Sequence, residues 1–151
     1  MALPRRIVSG GQTGVDRAAL DVAIALGIPH GGWCPRGRRA EDGTVPARYA
    51  LVEHAAADYA ARTEANVADS DATLIVARGA LSGGTALTRD VARRLGKPCL
   101  VIDLGARPDA AAVREWIATH DVGVLNVAGP RESQRPGIGD DARAFLRDVL
   151  S

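Results

Sequence analysis

The feature that most constrains this chain is the regular alternation of short apolar runs with segments of helical period. Residues 6–9, 71–77, 99–104 and 122–127 have the composition of buried strands, and residues 29–34 could form another short one. Between them, apolar residues recur three and four positions apart, as in Val15, Ala18, Ala19, Val22 and Leu26. Strands that alternate with helices predict βα units, a mostly parallel sheet and a three-layer sandwich with helices on both faces.

Composition narrows the class of protein further. The chain has 151 residues, enough for one domain with a substantial core, and we predict a single Rossmann-like ligand-binding domain over residues 1–151. With 19 basic and 18 acidic residues the net charge is +1, which gives no bulk attraction to nucleic acid or to an anionic membrane. No targeting or membrane-spanning stretch is apparent, so we expect a cytoplasmic protein.

The first glycine-rich turn follows the first predicted strand. It matches the dinucleotide-binding pattern G-x-G-x-x-G with serine in the first position, and a helix follows it. Such a turn brings backbone N–H groups and the positive end of a helix dipole to a phosphate. The predicted ligand-binding residues here are Ser9, Gly10, Gly11, Gln12, Thr13, Gly14 and Arg17. The competing interpretation is that the glycines only allow close packing of the helix, and that Arg17 pairs with Asp21.

Two known nucleotide sites are not indicated. An NAD site needs an acidic residue after the second strand, where this chain has Trp33, Cys34, Pro35 and Arg36. A P-loop needs Gly-Lys-Ser/Thr, which does not follow the turn.

Two further polar turns are expected at the same edge of the sheet, because parallel strands end there together. The second turn contributes Gly83, Gly84 and Thr85, and the third contributes Asn126, Gly129, Arg131 and Ser133. Arginine can clamp a phosphate with two hydrogen bonds. The alternatives are an ordinary helix N-cap at Ser82 or Thr85, and solvated loop charges.

Other side chains could carry chemistry. Asp16, Glu41, Asp42 and Glu132 are the candidate catalytic carboxylates, and nothing in the sequence singles one out. Cys34 lies in a predicted loop, where it could be exposed and reactive, although an inert loop cysteine is the simpler interpretation. Trp33 and Pro35 could form a wall for a flat ring, or fill a gap in the core. Cys34 and Cys99 lack a metal-ligand spacing, so no metal site is predicted.

The chain resembles the putative molybdenum carrier family through several motifs in order. They are SGGQTGVDRAALD from residue 9, GWCPRGRRAEDG from residue 32, DSDATLI from residue 69, GGTALT from residue 83, KP at residue 97 and NVAGPRES from residue 126. The resemblance implies a Rossmann-like fold similar to molybdenum-cofactor carrier proteins and to the lonely-guy or lysine-decarboxylase-like phosphoribohydrolases. Those hydrolases carry P-G-G-x-G-T-x-x-E, and Thr88 stands here at the position of the glutamate.

Two functions follow as hypotheses. The first is binding of a phosphorylated nucleotide-like or pterin-like small molecule, with the molybdenum cofactor or a nucleotide as the bound ligand. The alternative is hydrolysis of a nucleoside 5′-monophosphate at its N-glycosidic bond, so whether the protein is an enzyme stays open. The resemblance also implies a homo-oligomer.

Overall fold

The computed structural model describes residues 3–151, and its centre is a five-stranded parallel sheet. The strands lie in the order β2-β1-β9-β7-β8, and every neighbouring pair is parallel. Their bounds are β1 Arg6–Val8, β2 His30–Gly31, β7 Ala72–Ala77, β8 Cys99–Asp103 and β9 Val124–Ala128. All six residues of β7 are buried, as expected for a strand that is covered on both faces.

Five helices cover this sheet: α1 Val15–Leu26, α2 Tyr59–Ala68, α3 Gly83–Arg94, α4 Ala110–Thr119 and α5 Ile138–Leu150. Helix α5 packs against both α1 and α4, and the three helices share the largest apolar cluster with the sheet. Helix α2 packs on α3, where Val67, Val91 and Ala92 form a separate small cluster. The predicted Rossmann-like sandwich is confirmed.

Two short strand pairs lie outside the main sheet. Strand β3 (Trp33–Cys34) pairs with β6 (Val52–Glu53), and β4 (Arg39–Ala40) forms a hairpin with β5 (Gly43–Thr44). The single strand expected over residues 29–34 is therefore two strands. Gly32, at φ 128°, directs the chain out of the main sheet between them.

The alanine-rich sequence of residues 55–69 predicts a helix that begins at residue 55, but α2 begins only at Tyr59. Asp58 is its N-cap, and the Asp58 carboxylate accepts a hydrogen bond from the Ala61 N–H at 2.9 Å. Because the alanines at residues 55–57 precede this cap, they lie in a connection instead of the helix.

Strand order places a crevice at the middle of the sheet. The chain proceeds from β1 outward to β2, and from β7 outward to β8 in the other direction, while β9 lies between β1 and β7. In sheets of this kind ligands bind outside the carboxyl ends of the strands where the direction of winding changes. Within residues 3–151, no helix is both long and apolar enough to cross a membrane.

The central strand supplies the first test. Leu74 of β7 is fully buried in the main cluster, so Leu74→Ala should lower the free energy of unfolding by about 2–5 kcal/mol, measured by urea denaturation. Leu95→Ala is the comparison, because Leu95 is 40% exposed and lies outside the core clusters, so its truncation removes less buried surface and should cost less. Equal losses in the two variants would contradict this packing.

Candidate functional site

A cavity of about 260 Å³ lies at the crevice described above. Its wall is built from the turn after β1, one face of α2, the first turns of α3, the end of β9 and the loop that follows β9. The lining residues are Gly10, Gln12, Asp16, Tyr59, Ala60, Arg62, Thr63, Asn66, Gly84, Thr85, Leu87, Thr88, Asn126, Val127, Ala128, Gly129, Arg131 and Gln134. The three polar turns that the sequence indicated therefore share one cavity.

The predicted site residues divide into two groups. Those that line the cavity are Gly10, Gln12, Asp16, Gly84, Thr85, Asn126, Gly129 and Arg131. Those that lie outside its lining are Ser9, Gly11, Thr13, Gly14, Arg17, Gly83 and Ser133, together with the carboxylates Glu41, Asp42 and Glu132. Asp16 is thus the one proposed catalytic carboxylate that faces the cavity.

The donors of the first glycine turn bond mainly to groups of the protein itself. The Gln12 N–H donates to Asp16 Oδ2 at 3.2 Å, and the Thr13 N–H donates to Gln12 Oε1 at 3.1 Å. The Ser9 hydroxyl donates to the Asp16 carbonyl at 2.9 Å. The N-terminus of α1 is therefore compensated by Asp16, which is the acidic residue of its first turn.

Glu41, at the tip of the β4–β5 hairpin, joins this turn to the loop after β9. Its carboxylate accepts hydrogen bonds from the hydroxyls of Thr13 and Ser133 and from the Ser133 N–H. Burial alone would raise the pKa of Glu41. These hydrogen bonds outweigh that effect and hold the pKa below its ordinary value of 4.5. Glu41 therefore fastens the hairpin as an ionised carboxylate.

Asp42 and Glu132 have comparable structural partners. Asp42 receives two hydrogen bonds from the Arg17 guanidinium, at 2.6 and 2.8 Å, and this pairing lowers the pKa of the Asp42 carboxyl. Arg17 thus pairs with Asp42 and not with Asp21. Glu132 accepts hydrogen bonds from the N–H groups of Gly137 and Gly139 at the start of α5. These contacts hold loops together outside the cavity.

Close packing explains two of the glycines. A Cβ on Gly14 would lie 2.4 Å from the Pro130 carbonyl oxygen, and φ at Gly14 is +80°. A Cβ on Gly129 would lie 2.2 Å from the Val76 carbonyl oxygen. Both positions therefore need glycine whatever the cavity binds.

The buried cation of the cavity, Arg62, is not among the site residues that the sequence predicts. Arg62 of α2 is only 9% exposed, and its Nη1 donates to Asp16 Oδ2 at 3.2 Å. Burial raises the pKa of Asp16, and the Arg62 charge opposes that effect. Within residues 3–151 the buried Arg62 Nε has no hydrogen-bond acceptor.

A signal for this face of α2 was present in the sequence. Tyr59, Arg62, Thr63 and Asn66 recur at helical spacing, so they form a polar stripe on a helix that is otherwise rich in alanine. All four residues line the cavity. A polar stripe that faces inward is unusual for a packed helix and indicates a ligand or a buried network.

The start of α3 forms the opposite wall. Ser82 is the N-cap but makes no side-chain capping hydrogen bond, and Gly84 and Thr85 in the first turn line the cavity. The Thr88 hydroxyl donates back to the Gly84 carbonyl at 2.8 Å. Thr88, at the position of the hydrolase glutamate, also lines the cavity, so this wall presents a helix N-terminus without a carboxylate.

Two expectations around the second strand are corrected. Cys34 is fully buried among Leu20, Val45 and Tyr49, and burial raises the pKa of its thiol, so it is neither exposed nor activated. Trp33 does not line the cavity. Its indole Nε1 donates to Asp69 at 2.7 Å, and both residues line a separate small cavity. No group of three or more metal-ligating side chains occurs in residues 3–151.

The low pKa of Glu41 predicts a pH dependence of stability. A carboxylate whose pKa is lowered by folding stabilises the protein above its unfolded pKa, and that contribution is lost as the pH falls through the folded pKa. The free energy of unfolding of the wild type should therefore fall below about pH 4.5, and Glu41→Gln should reduce the size of that fall. The measurement is urea denaturation between pH 7 and about pH 3.

Glu115→Gln is the matched control, because it removes an exposed carboxylate of α4. If the two variants had the same pH profile, the hydrogen bonds to Glu41 would not be the source of the effect.

Comparison with known proteins connects this architecture to a family. The model of the circularly permutated YpsA SLOG family matches residues 7–150. Among solved structures, the chain is similar to the 1.45 Å crystal structure of the putative molybdenum carrier protein from Syntrophus aciditrophicus SB. The two chains are 48% identical, the match covers 99% of this chain and 96% of that one, and the TM-score is 0.93. No curated protein matches significantly.

The family match contains every strand of the main sheet except the first residue of β1, and every residue that lines the cavity. The structural match confirms the resemblance to the molybdenum carrier proteins. The chain belongs to the circularly permutated YpsA SLOG family.

Proposed function

We propose that this protein binds a phosphorylated nucleotide-like or pterin-like small molecule in the cavity at the carboxyl ends of β1 and β9. The observation that carries the proposal is the buried Arg62 guanidinium. A guanidinium has five N–H donors, and within residues 3–151 a single hydrogen bond, to Asp16, uses one of them. A buried cation with so much unused donor capacity favours an oxygen-rich anion as its partner.

The charges around the cavity support an anion. Arg62 and Arg131 contribute two positive side chains, and Asp16 contributes one negative side chain. The N-terminus of α3 adds about half a positive charge and the N–H groups of its first turn. A phosphate monoester carries about −1.5 to −2 charges at neutral pH, so it would balance this excess.

The remainder of the lining supports a small polar ring system. Thr63 and Asn126 offer neutral hydrogen-bonding groups, while Tyr59 and Leu87 supply apolar surface. The Asn66 side chain is held by two hydrogen bonds with the Trp33 backbone. A volume of about 260 Å³ is slightly below the range of about 300–1,000 Å³ that is usual for ligand pockets. It fits a compact ligand with one phosphorylated ring system better than a dinucleotide.

The proposed role is that of a carrier. The similar protein from Syntrophus aciditrophicus SB is described as a putative molybdenum carrier, and this supports a phosphorylated pterin, such as the molybdenum cofactor, as the cargo. The residues present fit the phosphate end of such a ligand, through Arg62, Arg131 and the first turn of α3. Assembly as a homo-oligomer and a cytoplasmic location stay predictions.

A second function, N-glycosidic hydrolysis of a nucleoside 5′-monophosphate, has one observation in its favour. Asp16 is a carboxyl group in the cavity whose pKa is raised by burial, as a general acid requires. Thr88, where related hydrolases have glutamate, is against it. Incubation with 5′-AMP and 5′-GMP, followed by chromatography for free base, would decide between binding and cleavage. Release of base by the wild type and not by Asp16→Asn would favour the enzyme.

Removal of the Arg62 charge should weaken phosphate binding selectively. Hydrogen bonds to charged groups contribute about 1.5–3 kcal/mol, so Arg62→Gln should raise the Kd for a phosphorylated probe about ten- to a hundredfold. Isothermal titration calorimetry with 5′-AMP, 5′-GMP and pterin phosphates measures this. The same substitution should change the Kd values of the unphosphorylated nucleosides much less.

Arg94→Gln is the control variant, because Arg94 pairs with Glu64 at the far end of α3, outside the cavity. If the wild type bound no phosphorylated probe, or if Arg62→Gln and Arg94→Gln changed the Kd for that probe by the same factor, the proposal would be wrong. A probe at a hundred times its Kd should also add about 2.7 kcal/mol to the stability of the wild type.

A further inference from the structure

The Arg62 side chain is confined from three directions. On one side, Asp16 Oδ2 lies 3.2 Å from Arg62 Nη1. On another, the guanidinium lies directly over the Cα of Gly10, in space that a side chain would need. On a third, the Tyr59 ring centroid lies 5.5 Å from Arg62 Cζ. An unconfined arginine side chain samples many rotamers. Folding therefore removes conformational entropy from the Arg62 side chain before any ligand binds.

From this arrangement we infer that Asp16 and Gly10 are positioning residues, which together hold the Arg62 guanidinium in the orientation that meets the ligand's anionic group. The inference rests on the proposed function and assigns to these two residues a role that acts through Arg62. A cation that is oriented before the ligand arrives binds more tightly, because the ordering cost is not paid on binding.

Asp16 is suited to this role because it is itself fixed. Its Oδ2 also accepts from the Gln12 N–H at 3.2 Å, and its carbonyl accepts from the Ser9 hydroxyl at 2.9 Å. The Asp16 side chain is only 8% exposed. The Asp16 carboxylate is held at the start of α1, so it fixes the Arg62 side chain of α2 relative to that helix.

Gly10 is suited because no other residue leaves room for the guanidinium. A Cβ at this position would lie 1.2 Å from Arg62 Nη1 and 2.5 Å from Arg62 Cζ. The backbone of Gly10 is not in the left-handed region, so it could accommodate alanine. Because the clash is with the end of a flexible side chain, Gly10→Ala should displace the arginine and keep the fold.

Gly31 provides a matched control. A Cβ at Gly31 would lie 2.1 Å from Arg6 Nη2, again the end of an arginine that covers a glycine next to β1. Neither Gly31 nor Arg6 lines the cavity. Gly31→Ala should therefore cost a similar rearrangement of an arginine without any effect on the cavity.

The experiment measures the Kd of 5′-AMP and of inorganic phosphate by calorimetry. Loss of a hydrogen bond between a charged group and an anion raises the Kd about ten- to a hundredfold. We therefore expect Gly10→Ala and Asp16→Asn to raise both Kd values at least about tenfold, and Gly31→Ala to leave them within about twofold. In an Arg62→Gln background, Gly10→Ala and Asp16→Asn should cause no further loss, because the group that they position is gone.

A second readout needs no ligand. The Arg62 Nε–H is buried, so in ¹⁵N NMR spectra it should exchange slowly with water in the wild type and in Gly31→Ala. It should exchange rapidly in Gly10→Ala and Asp16→Asn if the guanidinium has left its position. This signal can be assigned by its absence in Arg62→Gln.

The Kd measurements and the Nε–H exchange measurement test the phosphate-binding function and the positioning role separately. If the wild type bound neither probe but the Nε–H signal changed as expected, the phosphate-binding function would be wrong and the positioning of Arg62 would be correct. If Gly10→Ala and Asp16→Asn left the signal unchanged, or lowered affinity equally in the Arg62→Gln background, the positioning role would be wrong.

Discussion

The buried ion pair between Arg62 and Asp16 is the interaction on which the cavity depends. A guanidinium removed from water is costly unless a charge and hydrogen bonds compensate it, and the Asp16 carboxylate compensates it only in part. The pair joins α2 to α1 across the carboxyl end of β1, so it also fixes the distance between two walls of the cavity. The buried Arg62 Nε–H, which has no acceptor within residues 3–151, is the basis of the proposal that the cavity binds an anion.

The donors of the first glycine turn are bonded within the protein, unlike those of a dinucleotide-binding turn. In a dinucleotide-binding turn, a ligand phosphate satisfies the N–H groups at the start of the helix. Here the Asp16 carboxylate accepts from the Gln12 N–H, just before the helix, and the Val15 N–H at the start of the helix donates to the Pro130 carbonyl. Glu41 accepts from the Thr13 hydroxyl. The turn before α1 is thus bonded to groups of the protein, while the corresponding end of α3 opens into the cavity. The two helix N-termini are therefore not equivalent.

Features that depend on residues close together in the sequence could be predicted, whereas contacts between residues far apart in the sequence could not. The strands, the helices and the meeting of three polar turns follow from local periodicity and from the rule that parallel strands end at one edge. Pairing between remote residues does not follow, because Arg62 and Asp16 are 46 positions apart and Thr13 and Glu41 are 28 apart. The burial of Cys34 was missed for the same reason, since the residues that cover it come from α1 and from residues 45–51.

A crystal structure of the protein soaked with 5′-AMP is the most direct test of the central claim. We predict that the phosphorus atom lies between the Arg62 guanidinium and the first turn of α3, with the Glu41 hydrogen bonds intact. Phosphate density in the turn of residues 9–14, with Glu41 displaced, would contradict this account. That result would place the anion site at the N-terminus of α1, and the opening of the α3 N-terminus into the cavity would have no assigned role.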